Sequence, residues 1–232
     1  MASGTKYTEI IKYLNIAITE EQLRACIKTV FPTVLIDETH APMPYSRNSL
    51  VLRLSSLLSI SGAIGSGKST LGLILEQDHG YTQISYAGPL KNITSYLFNL
   101  DREMLEGATR EAREARELGD PSPRTILQLM GTEVFRQFDE NIWITNVFAC
   151  APTLTDKIVI TDARFPNELE HVRSLGGHSI YITRLLSIPS SSTHASELSL
   201  RLLNCDYNIS NHGTITDLKM HIKVILDVIY YK

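Results

Sequence analysis

This sequence contains little cysteine and no closely spaced cysteine pair. Its three cysteines, Cys26, Cys150 and Cys205, are odd in number and stand far apart along 232 residues. That spacing indicates neither a disulfide framework nor a CxxC metal site. A reducing compartment is therefore the simplest expectation.

Long apolar runs and an excess of positive charge are also lacking. No stretch approaches the roughly 18 uncharged apolar residues of a membrane-spanning helix, and the N-terminus MASGTKYTEI has no apolar signal core. The sequence thus predicts a cytoplasmic protein without membrane contacts. Because the formal net charge is −3, we expect no nucleic-acid partner, although local arginine clusters for a nucleotide remain compatible with this charge.

Short apolar runs alternate with helical segments from residue 57 onward. Strands separated by helices imply right-handed crossovers and a parallel sheet that is covered on both faces. We therefore predict a three-layer α/β domain over 57–232 with a five-stranded parallel sheet. The predicted strands are 57–61, 82–87, 157–162, 179–183 and 206–210, and the predicted helices are 69–77, 89–98, 101–118, 124–138, 167–175 and 215–228.

Residues 1–56 differ from the rest of the chain. Two segments have helical spacing, and the second begins with Thr19 followed three positions later by Gln22, which is the pattern of a capping box. A proline-rich connector follows them. We expect a helical extension and linker that serves either as a structural appendage or as an interaction arm.

The strongest motif is a glycine-rich segment, Gly62 to Ser69, which matches GxxxxGK[ST] at every fixed position. It follows a predicted strand and precedes an amphipathic helix, the context in which successive N–H groups and the helix dipole bind a phosphate. Lys68 is expected to reach the β and γ phosphates, and the Ser69 hydroxyl to bind Mg²⁺. The sequence thus predicts a P-loop NTPase fold with an ATP site. The expected ATP contacts in this segment are Gly62, Ala63, Gly65, Ser66, Gly67, Lys68, Ser69 and Thr70.

Asp162 follows the apolar run KIVIT, where a parallel strand delivers its side chain to the phosphate end of the sheet. It is a candidate to coordinate Mg²⁺ through water or to orient the acceptor substrate. The alternative is an aspartate that caps the following helix.

The order of the motifs resembles that of the deoxynucleoside monophosphate kinases of bacteriophages and large DNA viruses, within the nucleoside monophosphate kinase superfamily. The resemblance covers about 57–225, and the extension lies outside it. It implies ATP- and Mg²⁺-dependent phosphorylation of (deoxy)nucleoside 5′-monophosphates in the host cytoplasm, and it leaves a homodimer open. The blocks that carry it are the glycine-rich segment, YAGPLK at 86–91, PRTILQLMGTE at 123–133 running on to Trp143, DARFPNE at 162–168, and weaker matches at 193–197 and 206–211.

A monophosphate acceptor needs arginines, because their planar forks bind phosphate oxygens in pairs. Within a predicted acceptor-binding helical insert at about 99–145, Arg124 and Arg136 are candidate contacts to the acceptor phosphate or base. Gln128 and Thr132 lie near the Arg124 face of a regular helix and are candidate partners of the base. The alternative is a core helix whose arginines are solvated. Trp143 either stacks on the base or fills the core.

Arg164 is the candidate catalytic arginine, because it lies just past Asp162 and is placed to neutralise charge on the transferring phosphoryl group. Glu168 is expected to orient Arg164 or to bind the substrate sugar, with a surface salt bridge as the alternative. Arg184 precedes a predicted lid at about 185–200, whose closure excludes water. Asn211 is a weaker candidate contact to the adenine of ATP.

We expect direct in-line transfer in which Lys68, Arg164 and Asp162 act with Mg²⁺. Three rivals remain open at this point. A dephospho-coenzyme A kinase shares the general fold but needs a general base such as Asp162 for its hydroxyl acceptor. A non-catalytic NTP-binding module lacks acceptor-dependent turnover, and a nucleic-acid-stimulated motor ATPase is disfavoured by the short chain and the lack of a basic stripe.

Overall fold

The computed structural model describes residues 56–107, 109–149, 157–184 and 203–230. These fall into two compact units, a sheet unit (56–88, 157–184 and 203–230) and a helical unit (89–107 and 109–149). The predicted extension up to residue 55 and the predicted lid at about 185–200 lie outside the described residues. Within the described ranges, no helix combines the length and the apolar character needed to cross a membrane.

The elements follow one another in the alternating order expected from the sequence. They are β1 Ser56–Ser61, α1 Lys68–His79, β2 Thr82–Ile84, α2 Ala87–Phe98, α3 Arg102–Glu106, α4 Arg110–Ala115, α5 Pro123–Gln128, a π-helical segment π1 Leu129–Val134, α6 Phe135–Phe138, α7 Ile142–Ala149, β3 Lys157–Ile160, α8 Pro166–Ser174, β4 His178–Thr183, β5 Tyr207–Ser210 and α9 Ile215–Tyr230. Helix α2 begins in the sheet unit and continues into the helical unit.

The sheet contains five strands in the order β2-β3-β1-β4-β5, and all four pairings are parallel. The predicted five-stranded parallel sheet is therefore confirmed. Every residue of β1 is buried because this strand is central and has helices on its faces. Parallel strands place their carboxyl ends at one edge, so the loops that follow β1, β3, β4 and β5 meet at that edge.

Helix α9 covers the sheet with its apolar side. Its buried residues Leu218, Ile222, Ile225 and Leu226 recur at helical spacing and join the core cluster that contains Leu58, Ile60 and Ile180. Helix α1 contributes Leu71 and Leu75 to the same cluster. Helices α1 and α9 thus pack into one core cluster against the central strand β1.

Three predicted elements differ from the structure, and one of them, the helix predicted at 124–138, is interrupted by π1. The strand predicted at 82–87 ends at Ile84, because Ala87 already begins α2. The single helix predicted across 101–118 is instead two short helices, α3 and α4. Gly107 ends α3 in the left-handed conformation with a φ of 62°, and the Thr109 side chain caps the start of α4.

Candidate active site

The glycine-rich segment forms a tight loop between the central strand β1 and helix α1. Gly62 and Gly67 have φ angles of 153° and 107°, values that favour glycine. A Cβ atom on Gly62 would lie 2.3 Å from the carbonyl oxygen of Ile182, and one on Gly67 would lie 2.3 Å from Nδ2 of Asn211. Side chains at these two positions are therefore excluded by strand β4 and by the residue after β5.

Lys68 lies against this loop. Its ammonium donates hydrogen bonds to the carbonyl oxygens of Gly62 at 2.6 Å and Ala63 at 2.8 Å. Ser66 is fully buried beside it, and its hydroxyl has no hydrogen-bond partner among the described residues. Ser69, in the first turn of α1, is exposed. The loop thus holds a cation and a buried polar hydroxyl, which is chemistry suited to an anionic ligand.

Asp162 lies just beyond strand β3, at the same edge of the sheet, because β3 pairs with β1. Its carboxylate accepts hydrogen bonds from the Ser85 hydroxyl at 2.7 Å and from the backbone N–H groups of Tyr86 and Ala87 at 2.8 and 2.9 Å. The side chain therefore caps the start of α2. The sequence-based alternative named the following helix, α8, and that was the wrong helix. A role in Mg²⁺ binding stays a prediction.

Glu168 holds the backbone that carries Arg164. Its side chain is only 3% exposed, and Oε2 accepts hydrogen bonds from the N–H groups of Arg164 at 2.7 Å and Phe165 at 3.1 Å. This burial contradicts the alternative of a surface salt bridge. The carboxylate fixes the main chain at Arg164 where helix α8 begins, and a contact of either side chain with the substrate stays a prediction.

Arg184 and Asn211 follow β4 and β5 directly, and Arg184 is exposed. The Asn211 amide donates to the carbonyl oxygen of Ser66 at 2.9 Å, and its backbone N–H donates to Thr183 at 2.8 Å. The sequence reasoning placed Asn211 with the adenine and missed its contact with the glycine-rich loop. The signal available in the sequence was its position after a strand, at the edge that also carries Lys68 and Asp162.

In the helical unit, the regular helix predicted at 124–138 is interrupted. Residues 129–134 form π1, in which the Phe135 N–H donates to Met130 instead of to Gly131. Arg124 and Gln128 remain four residues apart within α5, whereas Thr132 lies in π1, where a turn holds more residues than in an α-helix. A shared face for these three side chains stays a prediction.

The two arginines predicted to bind the acceptor have partners within the helical unit. Nε of Arg124 forms an ion pair with Glu117, and Arg136 donates to the carbonyl oxygen of Glu140 at 2.7 Å. Arg113 likewise donates to the carbonyl oxygen of Gly107 at 3.1 Å, at the end of α3. The acceptor contacts proposed for Arg124, Gln128, Thr132 and Arg136 stay predictions.

Trp143 is buried in the helical unit. It is 4% exposed, its ring meets Phe135 edge to face at 5.5 Å, and its indole N–H donates to the carbonyl oxygen of Gly131 at 2.9 Å. That carbonyl is available because the π-helical turn redirects the Phe135 N–H to Met130. The burial favours the core role over base stacking, since a base cannot reach the ring unless neighbouring side chains move.

We expect Trp143→Phe to lower the free energy of unfolding by about 1–3 kcal/mol, because it leaves the buried Gly131 carbonyl without the indole donor. Thermal melting followed by circular dichroism measures this loss. The matched control is Tyr96→Leu, which changes a 76% exposed aromatic ring in the same unit and should leave the melting temperature unchanged. Equal melting of the Trp143 variant and the parent protein would contradict a structural role for the indole hydrogen bond.

The chain is similar to known deoxynucleotide monophosphate kinases. Residues 108–222 match the family model for deoxynucleotide monophosphate kinase. A putative deoxynucleotide monophosphate kinase of Acanthamoeba polyphaga mimivirus is 33% identical over 180 residues, which cover 69% of this chain and 91% of the viral protein. The deoxynucleotide monophosphate kinase of Escherichia phage RB69 is 30% identical over 110 residues, 45% of each chain. The chain is also similar to a solved structure of shikimate kinase from Aquifex aeolicus, with a TM-score of 0.43 at 13% identity over 74% of this chain and 96% of that one.

Proposed function

Because the chain belongs to the deoxynucleotide monophosphate kinase family, we propose that it transfers the γ-phosphoryl group of ATP to the 5′-phosphate of a (deoxy)nucleoside monophosphate. The products are ADP and a nucleoside diphosphate. The observation that carries this proposal is the glycine loop at the end of a central parallel strand, with the Lys68 ammonium held against it. The resemblance found in the sequence is confirmed by the family match, and the chain is a phosphotransferase.

The loop suits a triphosphate for three reasons. Gly62 and Gly67 bring the backbone close to neighbouring strands where a side chain would clash. Lys68 supplies a positive charge, and the buried Ser66 hydroxyl supplies a polar group that lacks a partner among the described residues. Backbone N–H groups at the start of α1 add the positive end of the helix dipole. We propose that the triphosphate binds to residues 62–70.

The donor set also fits Mg²⁺. In the described parts of the chain, no group of three or more His, Cys, Asp or Glu side chains is placed to hold a metal ion. Kinases hold Mg²⁺ with one or two protein oxygens and with the phosphates of the substrate. The exposed Ser69 hydroxyl and the Asp162 carboxylate are such oxygens at the phosphate edge of the sheet unit. When bound, the ion neutralises charge on the phosphate oxygens.

In the proposed reaction, a bond forms between an acceptor phosphate oxygen and the γ phosphorus. The bond from that phosphorus to the bridging oxygen breaks, and ADP leaves with the electron pair. The acceptor oxygen is already ionised, so no general base is needed. Lys68 and Arg164 stabilise the charge that is spread over the transferring group. The main chain at Arg164 is held by Glu168, which limits the positions that the guanidinium can take.

The proposal also includes contacts to the acceptor nucleotide. We assign Arg124 and Arg136 to the acceptor phosphate or base, and Gln128 and Thr132 to the base, within the insert at about 99–145. For the arginines this requires that the contacts with Glu117 and Glu140 be exchanged for phosphate contacts. A homodimer, the lack of a nucleic-acid partner and a cytoplasmic location stay predictions.

A panel of acceptors tests the function. The common ribo- and deoxynucleoside monophosphates, dephospho-coenzyme A and single-stranded DNA are each offered with ATP and Mg²⁺, and ADP release is followed by a coupled assay. We expect ADP only with a subset of the monophosphates, in amounts that match the diphosphate formed. Turnover with dephospho-coenzyme A alone would replace the proposal with the hydroxyl-kinase alternative, and acceptor-independent turnover stimulated by DNA would favour a motor ATPase.

A further inference from the structure

The residue that follows strand β5 contacts the glycine-rich loop directly. The Asn211 N–H donates to the carbonyl oxygen of Thr183 at 2.8 Å, which extends the pairing of β4 and β5 past the last strand residues. The backbone of Asn211 is thus fixed to the sheet. From this anchored position its side-chain Nδ2 donates to the carbonyl oxygen of Ser66 at 2.9 Å, across 145 positions of sequence.

The amide also packs against Gly67. A Cβ atom on Gly67 would come within 2.3 Å of Nδ2, whereas one on Gly65, in the same loop, would meet nothing within 4 Å. Gly67 is therefore in close contact with Asn211 in addition to having a positive φ. The Asn211 side chain occupies the space that a side chain at position 67 would need.

This contact has a geometric consequence for phosphate binding. A peptide group is planar and trans, so the carbonyl oxygen of Ser66 and the N–H of Gly67 point in opposite directions. When Asn211 holds the carbonyl oxygen, the Gly67 N–H is directed away from Asn211. Gly67 immediately precedes α1, whose first hydrogen bond runs from the Leu71 N–H to the Gly67 carbonyl oxygen at 2.9 Å. The Gly67 N–H is thus one of the unpaired donors at the helix start.

We propose that Asn211 is a positioning residue that holds the peptide between Ser66 and Gly67 in the orientation that presents the Gly67 N–H to the phosphates of the nucleotide. The proposal rests on the function proposed above and assigns to the loop after β5 a part in phosphate binding. It differs from the adenine contact expected from the sequence, because the amide acts through the backbone of the glycine-rich loop. Loss of the Asn211 amide should therefore weaken the binding of the phosphate chain by the same factor whichever base the nucleotide carries.

The test compares two ligands that contain the same chain of three phosphates, one with a nucleoside and one without. Calorimetry measures the binding of ATP and of inorganic tripolyphosphate, each with Mg²⁺ and without an acceptor, to the full chain and to Asn211→Ala and Asn211→Ser. We expect each variant to lose about tenfold in affinity for both ligands, the factor that corresponds to one hydrogen bond. In turnover assays the KM for ATP should rise by a similar factor, while the KM for the monophosphate should change less than about twofold.

Asn208→Ala is the matched control, because Asn208 is an exposed asparagine on β5 and should leave both affinities unchanged. A loss for ATP with none for tripolyphosphate would overturn the proposal in favour of an adenine contact. Unchanged affinity for both ligands would overturn it as well, and so would global unfolding of both variants, since a contact that orients one peptide leaves the fold intact. Failure of the wild-type chain to phosphorylate any monophosphate would contradict the proposed function. The binding of tripolyphosphate would still test the role of Asn211.

Discussion

Lys68→Ala is expected to lower kcat/KM by at least about a hundredfold, or roughly 3 kcal/mol of transition-state stabilisation. The ammonium lies 2.6 and 2.8 Å from two carbonyl oxygens of the glycine-rich loop, so it is already positioned beside the proposed triphosphate site. Alanine removes the positive charge where negative charge shifts toward the bridging oxygen. The loss should appear mainly in kcat, because the interaction strengthens as the bond breaks.

Two further variants make the Lys68 experiment specific. Lys68→Arg keeps the charge but places a larger planar fork in the loop, and we expect it to recover less than a tenth of the lost rate. Lys219→Ala removes an exposed ammonium that pairs with Asp78 at 2.7 Å on the surface of the sheet unit, and it should change kcat/KM less than about twofold. Comparable melting temperatures for all three would show that folding is not the cause. If Lys68→Ala kept more than a tenth of the activity, the central role proposed for Lys68 in the chemistry would be contradicted.

The architecture of the sheet unit was predictable because its signals are local. Each strand is a short apolar run, and the glycine-rich segment lies between one such run and a helix that ends at Gly80, whose φ is 72°. Repetition of strand and helix then requires a parallel sheet. The same local reasoning placed Lys68, Asp162, Arg164, Arg184 and Asn211 after strand ends, and the structure brings these positions to one edge of the sheet.

The partners of those side chains were not predictable, since they depend on distant segments. Asp162 caps a helix that begins 75 residues earlier in the chain, at Ala87. Asn211 contacts Ser66, which is 145 residues away. A sequence window shows that a carboxylate or an amide follows a strand, but not which backbone groups the fold brings near it. The cap on α2 and the contact with the glycine-rich loop therefore had to come from the structure.

The helical unit was less predictable for a second reason. Hydrophobic spacing assumes one helical period, and π1 changes that period over Leu129–Val134. The irregular turn is compensated by tertiary contacts. The carbonyl oxygen of Gly131 accepts a hydrogen bond from the Trp143 indole N–H. A Cβ atom on Gly131 would lie 2.7 Å from a methyl group of Leu90. The sequence contains these residues, but the contacts among α2, π1 and α7 are visible only in the folded structure.

The second large effect is expected for Gly67→Ala, which should weaken ATP binding by about a hundredfold or more. Alanine at a φ of 107° is strained by roughly 1–2 kcal/mol, and its methyl group would lie 2.3 Å from Nδ2 of Asn211. The loop relieves that contact by moving, which displaces it from the position in which we propose that its N–H groups face the phosphates. Calorimetric titration with ATP and Mg²⁺ measures the loss.

Two other glycines with positive φ angles allow the effect of the steric clash on ATP binding to be separated from the effect of backbone strain. Gly65→Ala and Gly80→Ala place a methyl group at φ angles of 77° and 72° where nothing lies within 4 Å, so both should lose stability through strain alone. We expect these two variants to bind ATP within about tenfold of the parent chain. Combining Gly67→Ala with Asn211→Ala removes the atom that the methyl group meets, so the double variant should bind ATP more tightly than Gly67→Ala, up to at most the affinity of Asn211→Ala. If the double variant binds no better than Gly67→Ala alone, steric conflict with Asn211 is not what makes glycine necessary at position 67.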